Sequence, residues 1–278
     1  MVTSRDPART VIGVMGEFNA GKSTLCNLLL GMSDLPEMIV PTQLPPVWFT
    51  KGPERHEIVM KSGEVVDITD DFDPEDALAT ASHLLMHRDI PMLEHIDIVD
   101  FPGISDPNMS ADVWQRVLPE VDAILWLTHA TQAWRQSEAA VWNTVADEIK
   151  ARSALVVTQM DKLTSDADKT RILRRLAHDV ADDFAQIIPV SLLRAVAAQD
   201  DPAALKASGM ADLQAFLSGF GKGAETAPDT SATAPCAAEP THNLIVPRRV
   251  KPAGKSSHMR PRPPATTRTA GDAPAVAM

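Results

Sequence analysis

The chain has 278 residues, 44% of them hydrophobic, and a formal net charge of −11. This length allows one or two domains with a buried core, and the acidic balance argues against nucleic acid as the main ligand. Two cysteines, Cys26 and Cys236, are too few for a disulfide framework and favour a reduced, cytoplasmic protein. Because no apolar run approaches the ~20 residues of a membrane helix, and residues 1–9 lack a signal core, we expect neither a span nor secretion.

The first predicted elements are a strand over residues 10–15, a glycine-rich loop, and a helix that Gly31 ends. The loop reads GEFNAGKST and fits the pattern GxxxxGK[ST]. A strand, a glycine loop and a helix N-terminus gather backbone N–H groups around one anion. Lys22 would reach the outer phosphates, and the Ser23 hydroxyl would ligate Mg²⁺. The predicted nucleotide contacts of this loop are Gly16, Asn19, Ala20, Gly21, Lys22, Ser23 and Thr24.

The next segment, residues 32–46, is a predicted loop that four prolines stiffen. Thr42 within it is the candidate second Mg²⁺ ligand when a γ-phosphate is present, and Thr50 is the competing assignment. Such a loop orders on the triphosphate and relaxes after hydrolysis. Thr42 therefore joins Lys22 and Asn19 as a candidate catalytic residue.

Three predicted strands, two of them a hairpin, follow the loop, and from residue 93 onward predicted strands alternate strongly with helices. Predicted strands cover residues 47–50, 56–60, 64–69, 93–99, 123–127, 154–157 and 187–190. Predicted helices cover residues 74–87, 137–150, 166–181, 191–198 and 211–217. This order predicts an α/β fold, a mostly parallel sheet flanked by helices. We expect the tryptophans to pack in the core, and His83 and His87 to lie one helical turn apart on a helix face without metal.

Asp100-Phe101-Pro102-Gly103 directly follows a predicted strand and fits the pattern DxxG. A carboxylate at the C-terminal end of a strand can hold Mg²⁺ through water, and the N–H of Gly103 can meet a γ-phosphate. Asp100 is therefore the third candidate metal ligand, with Ser23 and Thr42.

Thr158-Gln159-Met160-Asp161 ends another predicted strand and fits the guanine-reading pattern [NT]KxD except at Gln159. The carboxylate of Asp161 can accept both the N1–H and the exocyclic amine of guanine, a pair that adenine does not present. The usual lysine lies along the base and ties back to the phosphate loop, which Gln159 can do only weakly. Ser191 is a further candidate for the base pocket, through its backbone groups.

These stretches together resemble the GTPase domain of bacterial dynamin-like proteins over roughly residues 10–218. The resemblance rests on GEFNAGKSTLCNLLLG, the proline- and threonine-rich loop, VDFPGISDPN and TQMDKL. It implies a domain of the P-loop GTPase superfamily that binds GTP with Mg²⁺ and hydrolyses it slowly to GDP and phosphate. It also implies dimerisation across the nucleotide face, with a second copy or a related GTPase domain.

The residue that orients the attacking water is an open question. Phe18 and Ile104 cannot do so by hydrogen bonding, whereas Asn19 can donate and accept, unless it serves only as a turn-former. A GTP-sensing binding module with little or no hydrolysis is therefore the alternative function. A partitioning-type ATPase that uses the basic tail on DNA is a third reading, which Asp161 and the acidic body oppose.

Composition divides the chain into a flexible lead at residues 1–9, the GTPase domain at 10–218 and a tail at 219–278. From Gly221 onward there are nine prolines, and eight Lys/Arg against four Asp/Glu give this part +4 and the rest −15. Such a segment cannot offset its ordering entropy and is predicted to be disordered. Its apolar-basic stretch, residues 242–250, is either plain linker or a motif that docks a protein. Contact with a membrane, if it occurs, is expected to be peripheral and through partners.

Overall fold

The structure, a computed structural model, describes residues 6–32, 45–68, 80–105, 115–180, 182–198 and 201–221. The described strands are β1 Thr10–Gly16, β2 Val47–Lys51, β3 Arg55–Met60, β4 Val65–Asp67, β5 Ala81–Arg88, β6 Ile96–Asp100, β7 Ala123–His129, β8 Ala154–Thr158 and β9 Gln186–Pro189. They form one sheet in the order β4-β3-β5-β2-β6-β1-β7-β8-β9. The described helices are α1 Lys22–Leu30, α2 Gln136–Trp142, α3 Asp147–Lys150, α4 Asp166–Asp179, α5 Leu192–Ala197, α6 Pro202–Ala207 and α7 Met210–Gly221.

One half of the sheet is entirely parallel and contains β6, β1, β7, β8 and β9. Strands β1, β7 and β8 are buried along nearly their whole length. Their almost continuous apolar sequence is what a parallel sheet covered on both faces requires. The predicted α/β fold with flanking helices is therefore confirmed, and the C-terminal ends of β1, β6, β7 and β8 meet at one edge of the sheet.

The other half of the sheet corrects one prediction. Residues 81–88 form strand β5 between β2 and β3, where a helix over residues 74–87 was expected. Residues 74–79 lie outside the described ranges. Because β5 is buried on both faces, its apolar residues do not alternate, and such a short apolar run fits either a helix or a strand. His83 and His87 therefore lie about 13 Å apart along a strand, at ~3.3 Å per residue.

One helix ends and another begins where the local signals indicated. The glycine after α1, Gly31, adopts φ +64°, which suits a helix C-terminus because glycine has no Cβ to clash. The hydroxyl of Ser165 accepts the N–H of Asp168 and caps α4. The final helix, α7, continues to Gly221, beyond the predicted domain end at residue 218. Residues 1–5 of the predicted lead and 222–278 of the predicted tail lie outside the described ranges.

The predicted helix over residues 137–150 is divided into α2 and α3. After Trp142 the N–H groups of Thr144 and Val145 each bond a carbonyl only three residues back, and the Thr144 hydroxyl donates to Val141 O at 2.7 Å. Ala146 is then extended, with ψ 144°. A hydroxyl that competes for a helix carbonyl and a tightened last turn both end an α-helix.

The core lies on both faces of the sheet. Ile12, Val14 and Leu25 belong to one buried cluster, and Met15 and Trp126 to the other. Most of the tryptophans that the structure describes pack in the core, as predicted. Trp126 and Trp142 are fully buried, Trp134 is half-buried against them, and Trp114 lies outside the described ranges. None of the helices that the structure describes is long and apolar enough to cross a bilayer.

Candidate functional site

The phosphate loop connects the end of β1 to the start of α1, and its backbone depends on two glycines. Gly16 has φ +145°, and a Cβ there would lie 2.1 Å from the carbonyl oxygen of Leu127. Gly21 has φ +94°, and a Cβ there would lie 2.6 Å from Leu192 Cδ1. Between them Asn19 adopts the left-handed conformation, with φ +59°. The loop therefore folds tightly over the N-terminus of α1, the arrangement that presents backbone N–H groups to an anion.

Lys22 is held inside this loop. Its Nζ donates to the carbonyl oxygens of Glu17 at 2.8 Å and Gly16 at 3.3 Å. The residue is 7% exposed, so the ammonium charge lies at the centre of the loop. Ala20 of the loop is fully buried, whereas Ser23 and Thr24 are exposed on the first turn of α1.

Ser23 and Asp100 meet where α1 begins and β6 ends. The Ser23 hydroxyl donates to Asp100 Oδ2 at 3.1 Å. The other oxygen, Asp100 Oδ1, is buried and has no hydrogen-bond partner among the described residues. Burial raises the pKa of Asp100 to about 6, although the Lys22 charge and the Ser23 hydrogen bond lower it in part. A hydroxyl beside a buried carboxylate oxygen without a partner fits the oxygen ligands that Mg²⁺ prefers.

The two threonines considered as a further metal ligand differ in position. Thr42 lies outside the described ranges. Thr50 is buried at the other end of β6, where its hydroxyl donates to Asp97 Oδ1 at 3.0 Å. In the antiparallel register Val47 is opposite Asp100, so Thr50 lies three residues, about 10 Å, farther along the strand. The assignment of Thr50 is therefore wrong, because its hydroxyl serves the Asp97 network and not the phosphate loop.

The DxxG segment packs directly on the phosphate loop. A Cβ on Gly103 would lie 2.9 Å from the Cα of Phe18, so only glycine allows this approach. The N–H of Ile104 donates to Gly16 O at 3.2 Å. The segment that follows Asp100 thus lies within contact distance of the loop that Lys22 occupies.

The base-reading residues are tied to the same loop. The Thr158 hydroxyl donates to Ala20 O at 2.9 Å, and Gln159 Nε2 donates to Asn19 O at 3.3 Å. The glutamine therefore makes the tie to the phosphate loop that the missing lysine was expected to make. For Asn19 this contact uses the backbone carbonyl, together with its left-handed backbone; a role of its side chain in orienting water stays a prediction.

Asp161 lies in a single helical turn after β8 and faces the start of α5. Its Oδ1 accepts a hydrogen bond from the Ser191 hydroxyl at 2.7 Å. The sequence interpretation gave Ser191 only backbone groups to offer, so this side-chain contact was missed. Ser191 is also the N-cap of α5, which fixes the hydroxyl in place. The contact leaves the Asp161 carboxylate oriented by a neighbour 30 residues away.

Sequence reasoning also missed Glu17, the second residue of the loop, and two serines from other segments, Ser105 and Ser137. Both carboxylate oxygens of Glu17 accept hydrogen bonds from these serines. The available signal was Glu17 itself, because an acidic residue beside bound phosphates is unfavourable unless it has another task.

A model of the Dynamin family matches residues 12–160, more than half of the chain. The chain belongs to the dynamin family. This dynamin-family chain is 26% identical over 162 residues to Dynamin-like protein 2 of Campylobacter jejuni, a match over 56% of this chain and 26% of that protein. It is 23% identical over 190 residues to GTPase Era of Aquifex aeolicus, over 66% of this chain and 51% of Era.

A similar solved structure is that of an oligomerised bacterial dynamin pair, described as a mechanism for the long-range sensing and tethering of membranes. It matches the dynamin-family chain with a TM-score of 0.54 and 24% identity, over 76% of this chain and 34% of that one. This likeness shows a shared fold. The chain spans between about a quarter and a half of the length of these two curated relatives.

Proposed function

We propose that this dynamin-family chain is a Mg²⁺-dependent GTPase that hydrolyses GTP to GDP and phosphate and uses the nucleotide to control association between two copies. One observation carries the proposal: three different sets of side-chain groups lie at one edge of the sheet, after the ends of β1, β6 and β8. They are the Lys22 ammonium, the Ser23–Asp100 pair and the Asp161 carboxylate. A glycine-rich turn that occurs by chance would not need the Ser23–Asp100 pair or the Asp161 carboxylate beside it.

The proposed roles follow from position and charge. Phosphoryl transfer needs little covalent help from the protein and depends on positioning and charge stabilisation. Lys22 would stabilise negative charge on the outer phosphates, and the N–H of Gly103 would contact the γ-phosphate. Ser23 and Asp100, with Thr42, would hold Mg²⁺, which neutralises phosphate charge when bound. The predicted loop contacts and Thr158, Gln159, Asp161 and Ser191 would bind the rest of the GTP.

A second copy is proposed to complete the site. Phe18, the third residue of the loop, is 55% exposed and apolar, and Ile104, directly after DxxG, is also apolar. Neither residue therefore offers a side chain that can orient water. An oligomerised bacterial dynamin pair shares the fold, which supports association between copies or with a related GTPase domain.

The test is phosphate release per chain, measured over a wide range of protein concentration with GTP and with ATP. The proposal expects specific activity with GTP to rise with concentration, and nucleotide-dependent dimers in light scattering. Lys22→Ala serves as the inactive control. Constant specific activity without dimers would refute completion by a second copy, and equal use of ATP would refute the guanine assignment.

The second candidate is a GTP-sensing module with little hydrolysis, which the apolar Phe18 and Ile104 favour. In the same assay it would bind GTP tightly and release little or no phosphate at any concentration.

For location, we infer a cytoplasmic protein, in which any contact with a membrane would be peripheral and made through partners. The buried free thiol of Cys26 is consistent with a reducing compartment.

A further inference from the structure

Glu17, the second residue of the phosphate loop, is 3% exposed. Its Oε2 accepts a hydrogen bond from the Ser105 hydroxyl, and its Oε1 accepts one from the Ser137 hydroxyl at 2.6 Å. Its backbone carbonyl oxygen also accepts a hydrogen bond from the ammonium of Lys22. Three separate parts of the chain therefore converge on one residue: the phosphate loop, the segment after DxxG and the first turn of α2.

Ser105 is the link to the DxxG segment. Its hydroxyl donates to Glu17 and accepts the N–H of Phe18 at 3.3 Å, so both of its hydrogen-bonding roles are used in the phosphate loop. The two residues before it are also fastened there, Ile104 by its N–H to Gly16 O and Gly103 by its close approach to Phe18. Residues 103, 104 and 105 thus each contact the phosphate loop, and the Glu17 carboxylate makes the contact with residue 105.

Glu17 is poorly suited to act as a base. Burial raises its pKa, but the hydrogen bonds from Ser105 and Ser137 and the charges of Arg135 and His129 outweigh burial and lower the pKa below its ordinary value. A carboxylate with two hydroxyl donors and a lowered pKa has little tendency to take a proton. Its contacts are instead suited to holding the phosphate loop and the segment at residues 103–105 in fixed positions.

We propose that Glu17 is a positioning residue whose carboxylate holds the Gly103-Ile104-Ser105 segment on the phosphate loop, so that the Gly103 N–H faces the terminal phosphate of a bound triphosphate. The inference rests on the proposed binding of GTP at this loop. A diphosphate has no terminal phosphate for Gly103 to meet. Loss of the Glu17 contacts should therefore weaken triphosphate binding and leave diphosphate binding unchanged.

The test is calorimetric titration of the full chain, in Mg²⁺, with GDP and with a non-hydrolysable GTP analogue. Glu17→Ala and Ser105→Ala should each lower the affinity for the analogue about tenfold, the loss expected for one charge-assisted hydrogen bond at ~1.4 kcal/mol per decade. Their GDP affinity should match that of the wild type. Ser137→Ala is the matched control: it removes the other hydroxyl from the same carboxylate and should not change the ratio of the two affinities.

Glu17→Gln separates hydrogen bonding from charge. Its amide oxygen and NH₂ can each bond one serine hydroxyl, so it should retain most of the analogue affinity that Glu17→Ala loses. Equal losses for GDP and the analogue would assign Glu17 a merely structural role and overturn the inference. So would an unchanged ratio in both Glu17→Ala and Ser105→Ala, or a Glu17→Gln variant as weak as Glu17→Ala. If Glu17→Ala does not fold, Ser105→Ala decides by the same ratio. A wild type that binds neither nucleotide overturns the proposed function and this inference together.

Discussion

Relative to the wild type, Asp100→Asn should make the metal-free, nucleotide-free protein more stable at pH 8 than at pH 4, although it damages the proposed metal site. The Asp100 carboxyl is buried, and its pKa is raised from the ordinary value of 3.8 to about 6, mainly by burial. The folded protein therefore binds this proton more tightly than the unfolded chain does. The stability associated with that proton is complete below about pH 4 and is lost as the pH rises through about 6.

The size of the effect follows from the two pKa values. The interval between 3.8 and about 6 corresponds to roughly 3 kcal/mol, at about 1.4 kcal/mol for each tenfold change in proton affinity. Asparagine resembles the protonated carboxyl and does not titrate. The difference in unfolding free energy, variant minus wild type, should therefore grow by about 3 kcal/mol between about pH 4 and about pH 8. For a domain of this size that is a relative gain of about 6–12 °C in Tm.

The assay is urea unfolding of both proteins in chelator across this pH range. Any constant effect of the amide, such as an altered bond to Ser23, cancels in the change with pH. Glu148→Gln, an exposed residue of α3, controls for the loss of one acidic side chain and should alter stability at pH 8 by no more than about 0.5 kcal/mol. A variant whose stability difference stays constant with pH would show that Asp100 is not a destabilising buried charge.

Three further substitutions test the proposed site. Lys22→Ala should abolish tight GTP binding in titration calorimetry while the fold persists in circular dichroism, because charge-assisted phosphate contacts are worth roughly 1.5–3 kcal/mol each; unchanged affinity in a folded variant would refute the phosphate-loop assignment. Asp161→Asn should lose GTP affinity about tenfold or more and gain affinity for xanthosine triphosphate, whose carbonyl suits the new amide donor; a competition assay that still prefers GTP would contradict the role of Asp161. Gly103→Ala should slow phosphate release from GTP, since its Cβ would lie 2.9 Å from Phe18 Cα and must displace the segment; a wild-type rate would show that the close approach is not needed.

The sequence by itself determined the parts of this protein that depend on neighbouring residues. The apolar strand β1, the glycines of the loop and the stop at Gly31 all follow from backbone sterics within a few residues. The Ser165 cap of α4 is also set by neighbouring residues, and so is the alternation of strands with helices that predicts a parallel sheet. Parallel topology then places the motifs after β1, β6 and β8 at one edge, which is why Lys22, Asp100 and Asp161 could be assigned to one site in advance.

Tertiary structure decided the rest. Strand β5 is a strand because β2 and β3 pair with both of its edges, a fact that its own residues do not contain. Thr50 competed with Thr42 for the metal role until the register of β2 on β6 placed Thr50 beside Asp97. The hydroxyls that orient Asp161 and Glu17 come from 30, 88 and 120 residues away. Serines give no periodic signal at such separations, so only the packing of the sheet and its loops shows which carboxylate each one meets.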